Sequence, residues 1–463
     1  MLSDLPSEIL EGILRLLDIE ALLALSRTCK RFRDLVFSSV QQGHTPFWIP
    51  FHSENLASPT HYQRFPWVFA RLRPRLLLLE DGSFLDYLPT QTFFPRASLS
   101  EIFPPFRYLK VTHPRYVLGE FRNRTTLTHP PGRLWSYLQG PGIQELQYLS
   151  LEGWNLGKGI TISREKHSPH YPLKTLSLSG CNVHPDLLVD LIIHHGSHLE
   201  HLYLADCLIP SIAGAQSSLL VLSAILLRSN ANHALRTLWI DPITQWFPDS
   251  RLQGFLRQCT GLHELRLGRL SGEKPEEIIS MATSAPCTLK ELKLMTCRHA
   301  FTIFPMGRIA MRGLLLMLPE EWFKFLGALQ DYFSSLFSLS LGILSLPSVH
   351  ALMRTLPPSD TFTLHPLDHL CITGINRVSE MPGEVDVGTW GYYMTNSTLK
   401  TITLKDMPWL EMDLLHQWAK DFSLGPPVLR RLRLGGTSIR SEDLQTPFWI
   451  SLPVQVILCE ERV

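Results

Sequence analysis

Cysteine is scarce in this chain and never closely paired: 8 cysteines in 463 residues include no Cys-x-x-Cys spacing. That excludes a disulfide-stapled secreted framework and the ligand spacing of a structural zinc site. The thiols are expected to be reduced, in the cytoplasm, with the nucleus left open. Charge of one sign is lacking as well. The 43 Lys and Arg nearly cancel the 42 Asp and Glu, leaving +1, so no global field draws the chain to phosphate backbones or anionic lipid. Neither nucleic acid nor membrane is an expected partner. The densest apolar run, Leu219 to Leu227, is broken by Ser223 and is too short to span a bilayer. Asp4 and Glu8 stand where a signal peptide carries basic residues.

Motifs of catalysis are missing too. Gly153-Trp154-Asn155-Leu156-Gly157-Lys158-Gly159 is one residue short of a phosphate loop, and no Ser or Thr follows its Lys. There is no Gly-x-Ser-x-Gly elbow and no His-Glu-x-x-His. His194 and His198 have helical spacing, but Gly196 should end that helix and His201 belongs to the next strand. No catalytic residue, metal or cofactor is expected, and the chain reads as a non-enzyme.

What remains is a sequence rich enough to fold, 44% apolar against 18% charged. It is too long for one compact core, so two domains or an elongated repeat array are expected.

Residues 1–45 predict three short helices. Pro6 suits a first helical position, and Ile9, Leu10, Ile13, Leu14, Leu16 and Leu17 cover more than one stripe. A second helix should begin at Ile19, and a third carries Cys29, Phe32, Leu35 and Val36. So small a bundle cannot bury all this surface alone, and part of it should meet another protein. The strings Leu5-Pro6-x-Glu8-Ile9, Ile13-Leu14-x-x-Leu17-Asp18, Leu22-Leu23-x-Leu25-Ser26 and Cys29-Lys30-x-Phe32-Arg33-x-Leu35 resemble an F-box. The resemblance implies docking on the Skp-family adaptor of a cullin-based ubiquitin ligase, through Leu5, Pro6, Ile9, Leu10, Ile13, Leu14, Leu17, Leu22, Leu25 and Phe32.

From about residue 106 onward Leu-x-x-Leu-x-Leu recurs. Good copies start at Leu146, Leu173, Leu199, Leu235, Leu262, Leu289, Leu336, Leu367, Leu399 and Leu429, with weaker ones at Phe106 and Met311. Most steps are roughly 25 to 32 residues, the period of a leucine-rich repeat. Each copy predicts a short strand, a connection and usually a helix. Candidate helices are Pro185–His195, Ser217–Ser229, Ser250–Cys259, Pro275–Met281, Pro319–Tyr332 and Glu411–Phe422. Cys181, Cys207 and Cys297 fall eight residues after the first leucine, where this repeat takes Asn or Cys to satisfy backbone groups. Leu452 to Leu458 predicts a final strand.

The expected fold is α/β: an F-box over 1–45, an aromatic and Pro-rich connecting segment packed on the repeats over 46–105, and a curved leucine-rich-repeat solenoid over 106–463. Residues flanking the second and third leucines should project from the strand face. Among them Tyr148, Tyr203, Trp239, Asp241, Glu264, Arg266, Arg431 and Arg433 are the candidate target-binding residues, with Tyr203, Trp239 and Arg266 as anchors. A small ligand on the same face stays open, as in the plant hormone receptors that resemble this architecture. The resemblance thus implies a substrate receptor that holds an unknown protein target for ubiquitination. The alternative is a non-ligase scaffold using the same two surfaces.

Overall fold

The computed structural model describes residues 5–50, 72–80, 106–113, 145–156, 173–184, 198–205, 231–240, 250–270, 279–280, 282–296, 318–333, 335–357, 367–374, 385–423 and 428–459, with single positions 134, 138, 187, 188, 191 and 207 between them. The chain forms two compact units, Met1–Leu235 and Arg236–Val463.

The first unit opens with three helices, α1 (Ser7–Leu14), α2 (Ile19–Thr28) and α3 (Lys30–Gln42). Pro6 lies just outside α1, with an extended ψ of 148°. Asp18 caps α2 by accepting from the Ala21 N–H at 2.8 Å, which satisfies one of the free donors of a helix start. Gly43 ends α3 at φ 78°, a left-handed position that favours glycine. Leu10, Leu14, Ile19, Leu22, Phe32, Val36 and Val40 are buried and form the bundle core.

The chain then enters a parallel sheet directly. β1 (Phe47–Ile49) and β2 (Leu76–Leu79) pair with each other and then with β3 (Tyr108–Thr112), so the sheet starts inside the segment that the sequence reads as a connection. Phe47, Ile49, Leu77 and Leu79 are buried, and the Ser39 and Thr45 hydroxyls hydrogen-bond at 2.7 Å inside the joint between α3 and β1. The sheet continues through β4 (Tyr148–Glu152), β6 (Thr175–Ser177) and β8 (His201–Leu204), all parallel. The short strands β5 (Asn155–Leu156) and β7 (Asn182–Val183) pair separately.

Helix α4 (Ala231–Ala234) closes the first unit. The second unit carries β9 (Thr237–Ile240), β10 (Glu264–Leu270), β11 (Glu291–Thr296), β12 (Ser338–Leu344), β13 (His369–Gly374), β14 (Thr401–Lys405), β15 (Arg431–Gly435) and β16 (Gln455–Leu458), side by side in sequence order. Its helices are α5 (Ser250–Gln258), α6 (Pro319–Tyr332), α7 (Leu346–Met353), α8 (Trp390–Thr395), α9 (Met412–Phe422) and α10 (Pro447–Ser451). The spacing predicts α5, α6 and α9 within a residue of their observed ends. It does not predict α7 or α8, which are short and lack a clear polar face. Most of Pro185–His195 and Pro275–Met281, all of Ser217–Ser229, and Met311 and Cys297 lie outside the described residues.

One side-chain register holds the strands of both units. The first, second and third leucines of each copy are buried, for example Leu146, Leu149 and Leu151, or Leu429, Leu432 and Leu434. Pairing sets them over their counterparts: Leu265 faces Leu238 and Leu292, and Leu432 faces Ile402 and Val456. The turn after the strand is equally regular. Gly153, Gly180, Asp406 and Gly436, each seven residues after a first leucine, have φ between 54° and 76°, the left-handed region where glycine costs least. In three copies of the first unit the residue eight after the first leucine donates to the carbonyl of the preceding repeat's third apolar position. Trp154 Nε1 reaches Val111 O at 3.0 Å, Cys181 Sγ reaches Leu151 O at 3.0 Å, and Cys207 Sγ does the same with Leu178 O. The expected role of Cys181 and Cys207 is therefore what the structure shows, and Trp154 fills it with an indole.

In the second unit the helices α6 to α9 pack in succession, and each large indole among them finds an acceptor. Trp322 donates to Ser348 O at 3.1 Å, Trp390 to His350 Nδ1 at 3.0 Å, and Trp418 to Val387 O at 2.9 Å. This satisfies the polar end of side chains that otherwise fill the core.

Two outcomes are expected. Burial pushes the Cys181 and Cys259 thiols up to about 12, so at pH 8 they stay protonated and unreactive. Alkylation of the native protein at that pH should mark exposed Cys287 and spare Cys181, Cys207 and Cys259, as read by peptide mass spectrometry. A Cβ at Gly436 would meet Asp406 Oδ1 at 3.0 Å and its Cα at 3.2 Å, at φ 61°. Gly436→Ala should therefore lower stability by about 1–3 kcal/mol in urea titration.

Candidate protein-interaction surfaces

The bundle leaves an apolar stripe open. Ile9 is 52% exposed and Leu16 77%, with Ile13 half-buried between them. Ile9 and Ile13 lie one turn apart on α1, and Leu16 follows in the turn just beyond its end. Of the ten residues that the F-box resemblance assigns to docking, Pro6 and Ile9 are exposed, and Leu5, Ile13, Leu17 and Leu25 are half-buried. Leu10, Leu14, Leu22 and Phe32 are not available: all are at most 6% exposed. They form the core of the bundle, because three packed helices need an inward stripe of their own. Leu16, which the resemblance does not assign to docking, is exposed as well.

On the sheets, the residues between the buried leucines form an open face. In the first unit Tyr148 stacks on Tyr108 with ring centroids 3.9 Å apart and planes within 8°. Burial, and then the contact with Tyr148, holds the Tyr108 phenol well above its usual range. Lys110 pairs with Glu152 at 2.9 Å, and Thr112 and Ser150 donate to the same carboxylate. Tyr203 lies two strands along, with its ring 6.4 Å from that of His201. Tyr108 and Lys110 belong to the weak copy begun by Phe106, where only the period could have identified them.

In the second unit the structure brings Trp239, Glu264 and Arg266 together. Cross-strand pairing puts Trp239 beside Arg266, and Arg266 beside Lys293. The Arg266 guanidinium lies 4.9 Å from the Trp239 ring centroid and the Lys293 ammonium 5.2 Å, both within cation–π range. Trp239 Nε1 donates to Glu264 Oε1 at 3.1 Å, and Lys293 Nζ reaches the same oxygen at 2.6 Å while lying 3.5 Å from Glu291. These charges neutralise one another within the chain. Arg431 and Arg433 lie in another part of the face, both exposed on β15. Asp241 lies outside the described residues.

Because Trp239 is committed to neighbours, Trp239→Ala should cost about 1–3 kcal/mol of stability by removing two cation–π contacts and one charge-assisted hydrogen bond. Trp239→Phe, which keeps a ring, should cost less than half of that. Thermal melts of the two variants give the comparison.

Residues 2–41 match the F-box-like family model. No curated protein matches the chain. Among solved structures, the chain is similar to the leucine-rich repeat-containing protein LegL7 from Legionella pneumophila, at 14% identity and TM-score 0.38, over 67% of this chain and 81% of that one. It is also similar to an internalin (inlF) from Listeria monocytogenes, at 14% identity and TM-score 0.27, over 69% of this chain and 78% of the other. The repeat assignment itself rests on the register given above. No helix among the described residues is long and apolar enough to cross a membrane. The chain thus joins an F-box-like domain to leucine-rich repeats, the architecture of a protein-interaction adaptor.

Proposed function

We propose that this protein is the substrate-receptor subunit of a Skp/cullin/F-box ubiquitin ligase. The F-box-like bundle docks the Skp-family adaptor and through it the cullin, and the open face of the repeats holds a protein target. The observation that carries the reading is the uncovered stripe of Ile9, Ile13 and Leu16 on a segment that matches the F-box-like model. Each such side chain contributes about 1.5–3 kcal/mol when buried by a partner, before the costs of association. The chain itself is non-catalytic: it accelerates transfer by bringing target lysines close to ubiquitin. It would work in the cytoplasm or nucleus, where that machinery operates.

The test is co-purification. Wild-type protein should retrieve both the Skp-family adaptor and a cullin. Ile9→Asp with Leu16→Asp changes only exposed positions, so the variant should keep its circular dichroism spectrum and lose both partners, because carboxylates in an apolar contact are costly. Undiminished retrieval by the variant would overturn the docking assignment. Retrieval of the adaptor without a cullin by wild type would favour the scaffold reading.

A further inference from the structure

The open face of the second unit holds its charges in two different ways. At β9 to β11 the cations Arg266 and Lys293 are taken up by Trp239, Glu264 and Glu291. At β14 and β15 the cations meet no such neighbours. Arg431 stands between Thr401 and Gln455 in register, and Arg433 between Thr403 and Ile457. One strand further, the corresponding positions are His369 and Cys371, and beyond them Ser338 and Ser340. The first carboxylate on these rows is Glu291, on β11, four strands from β15 and therefore about 19 Å away, roughly twice the screening length at physiological salt.

Lys405 adds a third cation, since it alternates with Thr401 and Thr403 on β14 and packs its stem over Gly435. Its sequence neighbour Asp406 lies in the turn against Gly436. Lys400, at the other end of the strand, is neutralised by Asp368 at 2.7 Å. Among the described residues, no ion pair involves Arg431, Arg433 or Lys405.

We propose that β14 and β15 receive an extended acidic segment of the target protein, with carboxylates at alternating positions set against Arg431 and Arg433. This deepens the receptor reading, on whose sheet-face recognition it rests. The spacing carries the argument. Arg431 and Arg433 are two residues apart on one strand, about 6.6 Å along it, which is also the repeat of same-face side chains in an extended peptide. Each guanidinium offers a planar fork to one carboxylate. Thr403 and Gln455 supply neutral hydrogen-bonding groups alongside, and no carboxylate lies on these rows nearer than Glu291 on β11. Nucleic acid fits less well: three cations make no backbone-length stripe, and the adjoining positions carry no Phe, Tyr or Trp on which bases could stack.

Fluorescence anisotropy with the full chain and labelled peptides tests this without adaptor or cullin, so its failure leaves the co-purification result untouched. The probes are a short peptide with Glu at alternate positions, its Gln counterpart, its phosphoserine counterpart and a single-stranded RNA of equal length. Wild type should bind the Glu peptide at least about tenfold more tightly than the Gln peptide, with affinity falling as salt rises. Arg431→Gln with Arg433→Gln should remove that preference. Arg257→Gln with Lys324→Gln, which deletes the same charge from exposed positions on α5 and α6, should keep it. Tighter binding of the phosphoserine peptide, lost in the Arg431/Arg433 variant, would support the site with phosphate as the anion. Equal binding of Glu and Gln peptides, an unchanged preference in the Arg431/Arg433 variant, its loss in the control, or preference for RNA would each overturn the proposal.

Discussion

Everything in this protein beyond the helical bundle depends on apolar side chains stacking from one strand to the next. A single copy, with two leucines in its five-residue strand and a third just before it, has nowhere to put them, and its backbone is unpaired on both edges. Setting a second copy beside it covers both deficits at once, since the same pairing that joins the backbones places Leu265 against Leu238 and Leu292. The polar detail follows from that stacking. Trp154, Cys181 and Cys207 can donate to the preceding repeat only because the strands are held in register, and left-handed Gly153 and Gly180 aim the first two of these donors back. The helical bundle is tied to the same array, because β1 follows α3 after a single turn and its Phe47 and Ile49 are the first buried residues of the sheet.

The two exposed chemistries of the molecule differ in what satisfies them. The Trp239 cluster is largely closed: Lys293 and the indole share Glu264, and Arg266 lies over the indole with its buried Nε as the one unpaired donor of the group, so the surface is charged in composition but nearly neutral in effect. The Ile9 stripe and the Arg431–Arg433 pair are open, one apolar and one cationic. An apolar stripe gains free energy through area removed from water and discriminates weakly among shapes, whereas paired guanidiniums gain little in water and discriminate strongly by sign and spacing.

Much of this was legible before any coordinate. The period located every described strand from β3 to β15 except the two-residue β5 and β7, because a leucine pattern fixes both the strand and its buried side; β16 was marked by its own apolar run, Leu452 to Leu458. The cysteines could be placed for the same reason. What could not be read was the division of labour inside the bundle. Leu10 and Leu14 are chemically indistinguishable from Ile9 and Leu16, and only the crossing of three helices decides which pair faces inward. The strands β1 and β2 were hidden because Phe47-Trp48-Ile49 has no leucine signature, and Leu76 to Leu79 is an unbroken apolar run with no alternation to mark its two faces. Trp239 and Arg266 were placed on the right face, but a sequence does not show that their partners lie on the next strand over. The isolation of Arg431 and Arg433 is likewise a property of rows across strands, invisible along any one of them.

The eight-residue strand and turn form a fixed cassette, whereas the return segments between cassettes vary in length: 27 residues separate Leu146 from Leu173, and 47 separate Leu289 from Leu336. Lengthening a return path costs only a slowly growing closure entropy, while a single insertion inside the cassette would turn every following leucine to the wrong side. Gains and losses of sequence are therefore confined to one side of the array. The other side keeps a grid of addresses whose occupants can be exchanged one residue at a time, so a new binding preference can arise without disturbing the lattice that presents it.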